Sequence, residues 1–359
     1  MKQLLLSFVC LVFVFGCQGN FLHKENNEEA KETKEKMEND VWVEAPFKRV
    51  ENDVLISVQS LQQLIEGEAK FDKTNKTLLL HSSDHQFYLI EGVPVVQKDG
   101  LFLPGNGNDF KIIDDQAWLS AQFLNKFLRL HVKATNEQAF INSDKMIKHS
   151  DKGNNEVEAL SHLGSFENVI EIMSILESPI KKAQVDTIPS HLPGAKRAYR
   201  NGVHEGMDWY GFSTGVPINR NTEIFAMAKG VVVRADHEYN RYSSREERNR
   251  DLEVAADAGV TPVYILDRLR GRQVWVQYDN GLQARFAHLD RISADLQVGD
   301  VVNAHTLIGY VGNSGTSGDV KGDDTELHLH LDLLYRGELF WKGLTEKEIV
   351  KVLKVVFAS

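Results

Sequence analysis

Apolar and polar positions follow several distinct rhythms along this chain, and each rhythm predicts a different kind of element. Positions 4–15 are almost unbroken apolar residues behind Lys2. A run of about a dozen is shorter than the ~20 residues that span a bilayer, and it reads as the core of an export signal. Between Asn20 and Asp40 the pattern collapses into Lys, Glu and Asn, a solvated tether with almost nothing to bury. Apolar positions three and four apart then return in residues 56–65 and again in 119–128, each opened by a serine (Ser57, Ser120). Each stretch is followed by a Thr-Asn pair (Thr74-Asn75, Thr135-Asn136) and a short apolar strand around Leu79 or Phe140. The unit predicted twice is a serine-capped short helix followed by strand, turn and strand. Gly92-Val93-Pro94-Val95 and Asp99-Gly100-Leu101 place a turn-rich β segment between the copies.

Further on, Phe166, Val169, Ile170, Met173, Ile175 and Leu176 predict one amphipathic helix ending near Pro179, suited to either neighbouring domain. From Ile188 the rhythm changes to short β runs broken by glycine. Residues 223–228 turn at Lys229-Gly230 into Val231-Val232-Val233, and residues 273–278 turn at Asp279-Asn280-Gly281 into 282–288. Both read as hairpins. Residues 326–334 alternate strictly, with Leu327, Leu329, Leu331 and Leu333 on one face of a strand and His328 and His330 on the other.

The fold class that follows is multidomain: a small α+β stalk module, then a mainly antiparallel β domain. The divisions are a signal at 1–17, a tether at 18–41, the repeat module at 42–142, a linker with its helix at 143–187, the β domain at 188–345 and a C-terminal helix at 346–359. The length of 359 residues supports two cores. A formal net charge of −10 argues against nucleic acid, whose binders need a basic footprint. The only cysteines are Cys10 and Cys17, both in the signal, so a thiol nucleophile or a Cys-ligated metal is excluded from the body. Gly16 directly before Cys17, at the end of the apolar run, resembles a lipoprotein signal. That resemblance implies acylation of Cys17 and an extracytoplasmic chain anchored to the bacterial cell membrane.

Three fragments of the β domain carry candidate chemistry. Paired imidazoles at His328 and His330 make a start for a metal site, since neutral imidazole suits zinc; by itself a His-x-His pair is also a common solvent-facing motif. His204-Glu205-Gly206-Met207-Asp208 adds a nitrogen and an oxygen donor. It is not a helical His-Glu-x-x-His, because Asp208 takes the last place and Gly206 weakens a helix. Ala287-His288-Leu289 supplies a further imidazole.

These fragments occur in a fixed order with Leu192-Pro193-Gly194, Gly230-Val231-Val232, Val298-Gly299-Asp300-Val301 and Ile308-Gly309-Tyr310-Val311-Gly312-Asn313-Ser314-Gly315. The series, over about 190–345, resembles the M23 (lysostaphin-like, LytM) metallopeptidase family. The resemblance implies one Zn2+ held by His204, Asp208 and His330, with His288 and His328 as the catalytic pair, their roles not divided between them. It implies an endopeptidase acting on peptidoglycan stems or cross-bridges in an open β groove. Three protein ligands on a tetrahedral ion, with one position left open, is the pattern of a catalytic site. Residues 42–142 resemble the copper amine oxidase N-terminal-like domain; His81, His85 and His131 share no spacing there and are read as surface residues, without copper.

Two departures stand out. A long charged insertion, 234–273, replaces a short turn and is expected to form a flap or a surface for an envelope protein partner. The loop before His328 is acidic, and Asp323 and Asp324 are read as solvation rather than ligation. His191, His237 and His305 fit no position of the pattern and are read as surface residues. The rival readings are a non-catalytic LytM-like regulator and a wall-binding module.

Overall fold

The computed structural model describes residues 42–142 apart from 63 and 66, and residues 165–357. The stretches read as an export signal with Cys17 and a tether, and the first half of the linker, lie outside the described residues. Among the described residues no helix is long and apolar enough to cross a membrane.

Residues 42–142 show the duplicated unit. Asp53–Ser57 leads into the helix Val58–Leu61 and the hairpin Glu68–Asp72/Thr77–His81; Gln116–Ser120 leads into Ala121–Phe123 and the hairpin His131–Ala134/Ala139–Asn142. The two leading strands pair antiparallel, Leu119 opposite Ile56, so the copies share one core containing Leu61, Leu78, Phe87, Phe110, Phe123 and Ile141. The helices are shorter than the apolar spacing predicts. Ser120 Oγ accepts the Phe123 N–H, whereas Ser57 caps with no side-chain bond. The second copy continues as a wider turn over Leu124–Leu128 that stops at Arg129, φ 57°. Strands Gln86–Ile90, Val95–Lys98 and Leu101–Pro104 extend the first hairpin into a five-stranded meander.

The second body is built on one large antiparallel sheet. Its strands are β1 (Met207–Trp209), β2 (Gly230–Ala235), β3 (Val274–Tyr278), β4 (Leu282–Ala287), β5 (Val301–Val302), β6 (Leu329–Tyr335) and β7 (Glu338–Leu339). Their order is β1-β6-β4-β3-β2-β5, with β7 beside β6. Gly281, φ 90°, makes the tight turn that joins β3 to β4 as the Asp-Asn-Gly signal predicts. The hairpin expected at 223–233 is not formed. Glu223–Phe225 pairs instead with Leu307–Val311 in a separate three-stranded sheet completed by Leu289–Ile292. The intervening chain is held elsewhere: Ala226 N–H bonds the Thr306 carbonyl and Met227 N–H bonds the Tyr278 hydroxyl, so it crosses between sheets rather than turning back.

The linker helix, α1 (Phe166–Met173), packs on this body. Val169 and Met173 are fully buried in its core beside Ile349, Val352 and Leu353 of the C-terminal helix Glu346–Val356. Thr345 and Glu348 close a capping box at the start of that helix.

The insertion expected as a flap or partner surface is helical. It folds as α2 (Arg245–Ala258) and α3 (Val263–Leu269). Ser244 caps α2 with Glu246 and Glu247 in its first turn, and Gly259, φ 67°, ends it. Some of its charges pair internally: Arg268 bonds Asp251 and Glu247, and buried Arg234 at its base bonds Asp267 and Asp236. The N-terminal module lies against the far end of the same sheet face. Val93, Val95 and Phe102 pack on Val233, Trp275 and Leu334, and Gln277 Oε1 accepts the Phe102 N–H at 2.9 Å. Asn75 Oδ1 accepts the Val263 N–H at the start of α3, at 3.2 Å.

Candidate metal centre

The register of β1, β6 and β4 gathers the site. Asp208 on β1 lies opposite His330 on β6, and His330 lies opposite Ala287 on β4. Alternation along β6 keeps Leu329, Leu331 and Leu333 in the core and turns His328, His330 and Asp332 to the groove face. His204 arrives from a loop held by its N–H to the Ala195 carbonyl.

His204 Nε2, Asp208 Oδ1 and His330 Nδ1 converge at 2.9 to 3.0 Å from one another. All three residues are buried. The other nitrogen of each ring is committed: His204 Nδ1 lies 3.0 Å from the Leu192 carbonyl oxygen, and His330 Nε2 lies 2.7 Å from Asp332 Oδ1. Those bonds place a hydrogen on each outer nitrogen and leave a lone pair on each inner one. Two imidazole lone pairs and a carboxylate oxygen therefore face a common point, which only a cation or a shared proton reconciles. The spacing fits a zinc ion with arms of about 2.0–2.2 Å after slight expansion, since such a tetrahedron separates its ligands by about 3.4 Å.

The electrostatics of the metal-free trio agree. Burial opposes the charged form of Asp208, yet the His204 and His328 imidazoles hold its carboxyl well below the usual range. Burial depresses His204. His330 is also buried, but Asp332 and Asp208 outweigh that and raise it to about 9. Asp332 is fully buried and itself accepts from Arg270, Nη2 at 2.7 Å and Nε at 2.8 Å. Arg270 and His330 hold it well below the carboxylate range against burial.

Two more imidazoles stand beside the trio. His288 Nδ1 lies 2.7 Å from the Ser314 carbonyl oxygen and His328 Nδ1 lies 2.7 Å from that of Glu326, which leaves both Nε2 atoms for the groove. Their ring centroids are 4.7 Å apart, and His328 Nε2 is 3.6 Å from Asp208 Oδ1. Burial lowers both, His288 strongly and with further repulsion from His328 and His330, so both rings are neutral at pH 7. Tyr210 stacks on His328 at 4.4 Å and 13°. His288 sits at φ 57°, a left-handed conformation, directly after β4, with its N–H bonded to the Arg270 carbonyl. Gly312 is required beside it, since a Cβ there would lie 2.3 Å from the Asp290 nitrogen and 2.7 Å from the His288 oxygen.

All five residues singled out in the sequence meet at this point, while His81, His85, His131, His237 and His305 do not line the groove. Asp323 and Asp324 bond Thr325 and Arg220 away from the trio. His191 is not a surface residue. It lines the groove, its Nδ1 2.5 Å from buried Asp186 Oδ2 and its ring 4.7 Å from that of Tyr210. Arg270 and Asp332 were likewise unassigned from sequence, although Asp332 shares the His328/His330 face by simple alternation.

Residues 203–340 match the profile of Peptidase family M23. No curated protein matches the chain. Among solved structures, the catalytic domain of lysostaphin from Staphylococcus simulans is 18% identical over 46% of this chain and 89% of that one, with a TM-score of 0.27. A zinc containing peptidase from Vibrio cholerae is 14% identical over 74% of this chain and 48% of that one, TM-score 0.29. A complex of SpoIIIAH and SpoIIQ is 16% identical over 46% of this chain and 94% of the matched one, TM-score 0.28. With the β architecture and the five convergent side chains in place, residues 203–340 of this chain are a Peptidase family M23 domain.

Proposed function

We propose that this chain is a zinc-dependent endopeptidase that hydrolyses peptide bonds of peptidoglycan stems or cross-bridges. The observation that carries the reading is the convergence of His204 Nε2, Asp208 Oδ1 and His330 Nδ1 at 2.9 to 3.0 Å, in a family of zinc metallopeptidases. Two further neutral imidazoles lie alongside. A regulator that had lost catalysis has no need of all five groups.

Zinc at that trio would polarise the scissile carbonyl and acidify water at neutral pH. His204, Asp208 and His330 would hold the ion, and the Leu192 carbonyl and Asp332 keep the two rings in the ligating tautomer. His288 and His328 handle the protons. Each donates its Nδ1–H to a backbone carbonyl, so the neutral Nε2 is an acceptor suited to take a proton from attacking water. Once protonated, the same Nε2–H donates to the developing oxyanion or to the leaving nitrogen. Water thereby adds across the C–N bond: its oxygen joins the new carboxyl and its proton reaches the amine.

The rest of the proposal concerns location. We propose a lipid anchor at Cys17 and a tether before a stalk at 42–142, holding the chain on the outer side of the bacterial cell membrane; the apolar run that ends Gly16-Cys17 supports that reading. The test uses the chain from residue 18 onward. Zinc content and release of fragments from purified peptidoglycan are measured beside His328→Ala and His330→Ala. Near-stoichiometric zinc, activity lost in both variants, and zinc lost mainly in His330→Ala is the expected result. Zinc without cleavage of any wall preparation refutes the peptidase and favours the regulator.

A further inference from the structure

The insertion is bonded to both walls of the groove. On the His204 side, Asn201 Nδ2 donates to the Ala255 and Ala256 carbonyls at the end of α2, at 3.2 and 3.3 Å, and Arg200 Nη1 donates to Thr261 at 3.1 Å. On the His328 side, Arg248 Nε donates to the Gly315 carbonyl at 3.1 Å, and Arg241 pairs with Asp319 at 2.6 Å. From α2 and α3, Arg248, Leu252, Leu266 and Leu269 face into the cavity, whose volume is about 610 Å³. Behind α3 stands the N-terminal module, joined by Asn75 to Val263 and by Lys76 lying 4.3 Å over the Tyr264 ring. A peptide entering over the trio therefore meets a braced wall at this end.

The charge at that end is opposite to the chain's net −10. Glu205 is neutralised by Arg200 at 2.7 Å; Glu326 stays ionised against its burial through Ser317 Oγ, the Gly318 N–H and the charge of Arg248, and is the carboxylate that shares the cavity wall with Arg248. Lys196 and Arg248 have no ion-pair partner among the described residues. Arg197 has one weak partner, Asp208 Oδ2 at 3.4 Å, and its Nη1 donates to the Ser190 carbonyl at 2.8 Å.

We infer that the groove is blind at the insertion end and takes a peptide whose free C-terminal carboxylate lies against Lys196 and Arg248, which line it. This rests on the peptidase reading and narrows its substrate: an unlinked stem terminus, cut a few residues from its end, rather than the middle of a cross-bridge continuing in both directions. A guanidinium and a carboxylate pair through short charge-assisted bonds, and a closed wall sets the length of chain that reaches the trio.

The test compares three synthetic stem peptides with the chain from residue 18: a free C-terminal acid, its C-terminal amide, and the same sequence extended by three glycines. The free acid is expected to be cleaved with kcat/KM at least about tenfold above the amide, mostly through KM, and the extended peptide to be inert. Arg248→Ala should retain zinc and collapse the acid-to-amide ratio toward one. Equal cleavage of all three peptides overturns the inference while leaving the peptidase intact. If the chain cleaves nothing, calorimetric binding of acid and amide forms carrying a reduced scissile bond still decides. A tenfold preference for the acid that Arg248→Ala abolishes upholds the carboxylate site without the enzyme, and equal binding overturns it.

Discussion

Asp332→Asn tests how the metal trio is held. Asp332 is fully buried and is the common counter-ion of Arg270, His330 and the nearby Arg285. One oxygen accepts from Arg270 at 2.7 and 2.8 Å, and the other accepts from His330 Nε2 at 2.7 Å. Asparagine keeps the shape but offers one acceptor side and one donor side. With its oxygen toward Arg270, the amide N–H confronts His330 Nε2, which must then become an acceptor and move its hydrogen to Nδ1, the ligating atom. With its oxygen toward His330, the amide N–H confronts the guanidinium. Either arrangement leaves buried positive charge uncompensated, and removing one member of a buried pair costs about 3–5 kcal/mol. Loss of a partner that orients a metal-bound histidine costs about 10–100-fold in metal affinity.

Urea unfolding of the metal-free chain and zinc competition against a chromophoric chelator measure the two effects separately. The double variant Asp332→Asn/Arg270→Met should regain part of the stability, because the orphaned guanidinium is gone, but little of the zinc affinity. A single variant within about 1 kcal/mol of the parent that also binds zinc within about threefold refutes the relay from Arg270 to His330.

Other expectations follow from the same geometry. Since His330 is raised to about 9 in the metal-free protein, zinc must displace its proton, and apparent affinity should rise about tenfold per pH unit from about 6.5 to 9 before levelling. A flat profile in the chelator competition would refute this. The stability that His330 lends the metal-free form has the reverse sign: it is fully present below pH 6.5 and is lost as pH rises through about 9. Thermal unfolding with EDTA across that window should show Tm falling. Gly312→Ala should displace the His288 segment, since its Cβ would lie 2.3 Å from the Asp290 nitrogen. Loss of about 1–3 kcal/mol and a lowered kcat with zinc retained are expected from denaturation, turnover and metal analysis. Tyr210→Ala removes the ring stacked on His328, and turnover should fall while zinc content holds.

The five side chains were legible because strand alternation and family order mark them locally. His328 and His330 are two apart on a strand whose other face is leucine, and Asp208 precedes Trp209 on the strand that pairs with it. Asp332 obeys the same alternation and was available to the same reasoning; an acid among leucines is simply less conspicuous than a histidine pair. The partnership of Arg270 with Asp332 crosses 62 positions, and that of Asp186 with His191 depends on a loop buried against Ser213. No periodicity encodes either. The 223–233 hairpin failed because a Lys-Gly turn signal says nothing about which partner wins. Ile224 is fully buried beside Ile308 in another sheet, and that burial outweighed the local turn. The helices of the insertion were not legible because charges dominate its composition, and what orders them, such as Arg268 with Asp251 and Glu247, is pairing between positions that no periodicity links.

The contact between Phe102 and Trp275, ring centroids 6.0 Å apart, bears on how the protein is handled at the bench. Trimming the chain to residues 188–359 would strip the module from Val233, Trp275 and Leu334 and remove α1 from the core. Such a fragment would carry two fresh apolar faces into solution and tend to self-associate. Its low solubility or inactivity would then report the site of truncation, and only the longer chain would test the proposed activity.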